Sequence, residues 1–126
     1  MKKILVVDDQ IDIIFTVKKI FEELSDQYEI IGADSGKQCI EFLKNNEKPD
    51  LILLDIMMPE MSGWEVVNQL RENELWRSIP VVFLTARTDN TAVNAGKFLG
   101  EDYIEKPFEK DDFIRRILRI FEQKKQ

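Results

Sequence analysis

Five short apolar runs recur along the chain at roughly even spacing: "KKILVVDD", "YEIIGA", "DLILLD", "PVVFLT" and a shorter "EDYIE". Aliphatic runs of this length read as strands, and Leu51, Ile52, Leu53 and Leu54 form a run with no polar break, as in a strand buried on both faces. Between the runs the spacing turns helical. Ile14, Val17, Phe21 and Leu24 fall at i, i+3, i+7 and i+10, and Gly63, Val66, Val67 and Leu70 repeat in a similar way. Residues 36–46 and 90–98 carry a weaker helical pattern. The last helix is strongly marked, with Phe113, Ile114, Ile117, Leu118 and Phe121 on one stripe. Strict alternation without an internal repeat predicts an α/β domain, a doubly wound sheet of five parallel strands wrapped by helices.

Composition narrows the function. A chain of 126 residues, 44% apolar and 33% charged, is expected to form a single domain over residues 1–126 with no separate output domain. No apolar run approaches the ~20 residues of a membrane helix, so neither a membrane nor secretion is expected and the cytoplasm is the expected compartment. The net charge of -6 argues against direct nucleic-acid binding, which rests on Lys and Arg neutralising phosphates. The basic residues that cluster, Arg115, Arg116, Arg119, Lys124 and Lys125, read as complements to the dipole of the last helix. Cys39, the single cysteine, reads as a small buried hydrophobe. There is no histidine, which removes the commonest general base and metal ligand. Any metal site must then use oxygen ligands, which favours Mg²⁺, Mn²⁺ or Ca²⁺.

In a doubly wound sheet, ligands bind beyond the carboxyl ends of the strands. Here the first strand ends in Asp8 and Asp9, the third in Asp55 and the fourth in Thr85, and Lys106 and Pro107 follow the fifth. Singly, each has an innocent reading: Asp8, Asp9, Thr85 or Asp89 as a helix cap, Lys106 as a solvated loop residue. Jointly they do not, because three carboxylates at neighbouring strand ends repel one another unless a cation sits among them. A divalent ion and the Lys106 ammonium relieve that repulsion. The result suits phosphoryl transfer, with Asp55 as a nucleophile forming an aspartyl phosphate and Thr85 donating to the new group.

These residues, in "ILVVDD", "LILLDIMMPEMSG", "IPVVFLTA" and "DYIEKPF", resemble the receiver domain of two-component response regulators over essentially the whole chain. The resemblance implies a (βα)5 flavodoxin-like sheet in the order 2-1-3-4-5. It implies Asp55 as phospho-acceptor, with Mg²⁺ (Mn²⁺ as a substitute) bound by Asp9, Asp55 and the Met57 carbonyl, and by Asp8 through a water. Thr85, Ala86 and Lys106 are implied to contact the phosphoryl oxygens, Thr85 and Tyr103 to form the switch, and Pro107 to follow a cis bond. The implied partners are a histidine kinase or histidine phosphotransfer protein and a downstream target. The implied state is a monomer, or a weak homodimer through the face of the fourth helix, fifth strand and last helix. The domain is expected to be no enzyme in its own right, but a signalling module that promotes its own phosphorylation and dephosphorylation. One departure stands before "DYI", where Leu99, Gly100 and Glu101 replace the usual Gly-Ala-acid.

Two other readings on the same fold fail. A phosphatase of the haloacid dehalogenase type needs an acid two residues past the nucleophile, where this chain has Met57. A nucleotide- or flavin-binding module needs a Gly-rich phosphate loop after a strand, and none is present. Met57, together with Arg87, which is two residues past Thr85, is therefore expected to tune hydrolysis, with neither offering a base. Ile11 and Phe15 lie off the main stripe of the first helix, either part-buried by neighbouring loops or forming a docking patch.

Overall fold

In the computed structural model, which describes residues 1–86, 94–95 and 100–124, five parallel strands form one sheet in the order β2-β1-β3-β4-β5. The strands are β1 (Lys2–Val7), β2 (Tyr28–Ala33), β3 (Leu51–Leu54), β4 (Val81–Thr85) and β5 (Asp102–Glu105). The helices are α1 (Ile11–Leu24), α2 (Gly36–Asn45), α3 (Gly63–Glu72) and a C-terminal helix, Lys110–Lys124. The fourth predicted helix, residues 90–98, lies outside the described residues except for residues 94 and 95, which are helical.

The three central strands are buried on both faces, which is why their sequence does not alternate. One face packs Leu5, Val7, Ile52, Leu54 and Phe83 against α2 and α3, and the other packs Ile4, Val6, Leu53 and Leu84 against α1 and the C-terminal helix. The stripe expected of α3 is buried residue for residue. In α1 the buried residues are Val17, Ile20 and Phe21, while Leu24, at the end of the last turn, is exposed. Phe113, Ile117, Ile120 and Phe121 form the inward stripe of the C-terminal helix.

Arg115 and Arg116 do not serve that helix's dipole as expected. Arg115 pairs with Asp112 at 2.6 Å, while Arg116 reaches Asp112 at 3.2 Å, Asp102 at 3.5 Å and the Tyr103 carbonyl at 3.2 Å. Acids one turn earlier and on the adjacent strand capture both guanidinium groups mid-helix. Gly100, at the unusual Leu99-Gly100-Glu101 sequence, lies so close to β4 that a Cβ would meet the Val81 carbonyl and the Phe83 ring.

Candidate metal and phosphoryl site

Strand order creates the site. β1 lies between β2 and β3, with Val7 paired to Ala33 on one side and Leu54 on the other. The next residues carry the pattern forward, as Asp8 N–H donates to the Ala33 carbonyl and Asp55 N–H donates to the Val7 carbonyl, both at 3.0 Å. Two aspartates thus emerge side by side where the strand order reverses, the place where this class of sheet binds ligands. Asp9 follows, and oxygens of Asp8, Asp9 and Asp55 lie within 4.8 Å of one another. Asp8 and Asp55 are buried and Asp9 is exposed.

Thr85, fully buried, ends β4, and its carbonyl accepts from Lys106 N–H at 2.9 Å. That bond carries the β4–β5 ladder one residue further and brings Lys106 over the acids. Its Nζ lies 2.6 Å from Asp8 Oδ2 and 3.6 Å from Asp55 Oδ2, with the side chain only 10% exposed. The solvated-lysine reading fails on that burial. The Lys106–Pro107 peptide is cis, as the resemblance implied. The helix-cap reading of Asp8 and Asp9 fails too, because the N-cap of α1 is Gln10. Asp8 Oδ1 accepts from Gln10 N–H at 2.9 Å, outside the helix.

A tight loop holds Asp55 from the other side. Met57 N–H donates to Asp55 Oδ1 at 3.3 Å, and Gly63 N–H donates to the Ile56 carbonyl at 2.9 Å. A Cβ at Gly63 would strike the Asp55 carbonyl and the Ile56 Cα, so α3 can start this close to the strand end only with glycine there. Glu60 sits at φ 67°, and Met61 N–H closes a three-residue turn onto the Pro59 carbonyl at 2.7 Å. Ser62 caps α3 by accepting from Glu65 N–H.

Asp9, Gln10, Asp55, Met57, Thr85, Ala86 and Lys106 line a cleft of about 240 Å³. All of the expected site residues within the described chain lie in or beside it except Tyr103, and Arg87 and Asp89 lie outside the described residues. Met57 is 62% exposed at its rim. Tyr103, implied by the resemblance to be part of the switch, is buried at 7% exposure. β5 pairs it with Phe83, whose ring lies 6.2 Å away and itself packs on Trp64 at 5.0 Å. Gln10 was missed in the sequence, although its place directly after two acids at a strand end was a usable signal.

Response regulator receivers are the family this architecture defines, and the chain belongs to it, matching the response regulator receiver domain over residues 4–118. Among its relatives, the response regulator SaeR of Staphylococcus aureus (strain USA300) is 33% identical over 127 residues, spanning 100% of this chain and 53% of SaeR. The chain thus spans about half the length of the curated relatives it matches. Chemotaxis protein CheY4 of Vibrio cholerae superposes with a TM-score of 0.84 at 28% identity, covering 94% of this chain and 98% of that one. The receiver domain of a signal transduction histidine kinase from Syntrophus aciditrophicus gives 0.86 at 29% identity, covering 98% and 92%. No described helix is long and apolar enough to cross a membrane.

Burial raises the Asp8 carboxyl above its ordinary value of 3.8, with the Asp55 charge adding to the rise, against hydrogen bonds from Lys106 and Gln10 N–H. The folded protein therefore holds this proton more tightly than the unfolded chain. The stability it contributes is full below about pH 3.8 and is lost as pH rises through the folded value. In EDTA, urea midpoints compared between pH 4 and 7 should show this downward contribution in the wild type and not in Asp8→Asn. Parallel pH curves for the two proteins would contradict it.

Proposed function

We propose that this receiver accepts a phosphoryl group onto Asp55 from a phosphohistidine of a histidine kinase or histidine phosphotransfer protein. The observation that carries the reading is the Asp55 carboxylate at a strand end, grouped with Asp8 and Asp9 and with Lys106 Nζ at 3.6 Å. An Asp55 oxygen attacks phosphorus and forms the P–O bond as the P–N bond to the imidazole breaks. The imidazole leaves with that electron pair and takes up a proton. Lys106, Thr85 and the Ala86 N–H receive the phosphoryl oxygens.

Oxygen donors this close suit a hard divalent cation, Mg²⁺ or Mn²⁺. Asp9, Asp55 and the Met57 carbonyl would hold it, with Asp8 acting through a water, and its charge would offset that of the transferring group. On this reading the protein works in the cytoplasm and promotes its own labelling from small phosphodonors. Acetyl phosphate with Mg²⁺ should add one phosphate by mass to wild type and none to Asp55→Asn. Beryllium fluoride should change Trp64 fluorescence only with Mg²⁺ present, and should slow hydrogen exchange in β5 and the C-terminal helix, the surface we assign to output through Thr85 and Tyr103. Equal labelling of Asp55→Asn, or none of the wild type, defeats the proposal.

The donor's docking surface is α1, where Ile11 and Phe15 stay 68% and 67% exposed. Phe15→Ser should slow transfer from the donor protein while sparing acetyl phosphate labelling. Equal slowing of both would point to damaged folding instead.

Lifetime of the aspartyl phosphate depends on a water aligned in line with its phosphorus. Met57, exposed at the rim, offers that water no strong hydrogen bond. Intrinsic hydrolysis should therefore be slow, and Met57→Asn should speed it roughly 3- to 30-fold. Phosphate loss from the purified protein without a phosphatase measures this, and an unchanged or slower rate rejects it.

A further inference from the structure

Gln10 is bound to both ends of the Asp8–Lys106 pair. Its backbone N–H donates to Asp8 Oδ1 at 2.9 Å, and its side-chain Oε1 accepts from Lys106 Nζ at 3.2 Å. The ammonium meanwhile gives its shortest bond, 2.6 Å, to Asp8 Oδ2 and stands 3.6 Å from Asp55 Oδ2. Gln10 thus makes no capping hydrogen bond with its side chain, although it holds the N-cap position of α1. Lys106 has three N–H donors. Asp8 and Gln10 take two of them, and Asp55 Oδ2 stands farther from the ammonium than either.

Charge gives the residue type its meaning. Asp8, Asp9 and Asp55 with Lys106 sum to a formal charge of about -2 when all are ionised, which one divalent cation balances. An acid at position 10 would add a fourth carboxylate against the same ammonium. A neutral amide binds Lys106 without that addition, and one net hydrogen bond is weak enough to be exchanged.

We propose that Gln10 is a positioning residue that restrains Lys106 on the Asp8 side of the site, so that the Gln10 amide competes with a phosphoryl group on Asp55 for the ammonium. This rests on the phospho-acceptor reading above, and the two can fail separately. Glutamine carries the restraint in its side chain, so Gln10→Ala removes it while keeping the backbone bond to Asp8. Gln10→Glu replaces it with a charged and tighter one.

The test titrates beryllium fluoride at saturating Mg²⁺ into wild type, Gln10→Ala and Gln10→Glu, following Trp64 fluorescence. Gln10→Ala should bind about 2- to 10-fold more tightly than wild type, the span of one net hydrogen bond. Gln10→Glu should bind the fluoride more weakly than wild type, while binding Mg²⁺ alone more tightly because of its extra carboxylate. In the metal-free protein, the ¹⁵Nζ resonance of Lys106 should shift in Gln10→Ala, a change that a merely structural role for this exposed side chain would not produce. An unmoved Lys106 resonance, or equal or weaker fluoride binding by Gln10→Ala, overturns the restraint. Failure of the wild type to bind the fluoride at all would instead strike at the phospho-acceptor reading.

Discussion

The bond between Lys106 and Asp8, 2.6 Å long and joining residues 98 positions apart, is the interaction on which the carboxyl edge of the sheet depends. β1 and β3 are neighbours, so a chain that ends both in aspartate forces two buried carboxylates together. Such charges cost several kcal/mol each to desolvate, roughly, and an ion pair offsets that only when its geometry is good. One ammonium satisfies Asp8 and leaves Asp9 and Asp55 to be balanced from outside the chain. The site is thereby left short of positive charge, and its clustered carboxylates could hold a cation. Removing Lys106 would strand a buried carboxylate, so this pair bears on the stability of the site.

The loop after β3 shows a local cost accepted for that geometry. Glu60 occupies a left-handed conformation that a side chain disfavours by about 1 kcal/mol or more, and Gly63 lies where no Cβ fits. Both features bring α3 back against the strand within a few residues. The Met57 N–H is thereby aimed at Asp55 Oδ1, and Met57 itself is left at the rim. Strain beside the site and a well-packed α3 are parts of one solution.

From the start of α3 an aromatic column, Trp64 to Phe83 to Tyr103, crosses β4 and reaches β5. Phe83 lies two residues before Thr85 on a fully buried strand. The rings of Trp64 and Tyr103 both pack near Phe83, in an interior whose density leaves little room to absorb movement. Tyr103 is already within that column. Its ring packs near Phe83, and Arg116 donates to its carbonyl.

Much of this was legible along the chain. The unbroken run Leu51 to Leu54 announced a strand buried on both faces, and Val66, Val67 and Leu70 announced the inward side of α3, because burial repeats with the backbone period. Alternation of elements announced the doubly wound class, and acids at neighbouring strand ends announced a carboxylate cluster that could hold a cation. The resemblance to receivers added the strand order and the cis bond before Pro107. Tertiary structure alone decided the rest. It buried Ile20 and left Leu24 exposed, paired Arg115 and Arg116 with acids, put Tyr103 inside, and made Gln10 the link between Asp8 and Lys106. Periodicity tells which way a residue faces, since it follows from backbone geometry within one element. Which partner a long polar or aromatic side chain finds depends on elements distant in sequence, and only their packing together chooses it.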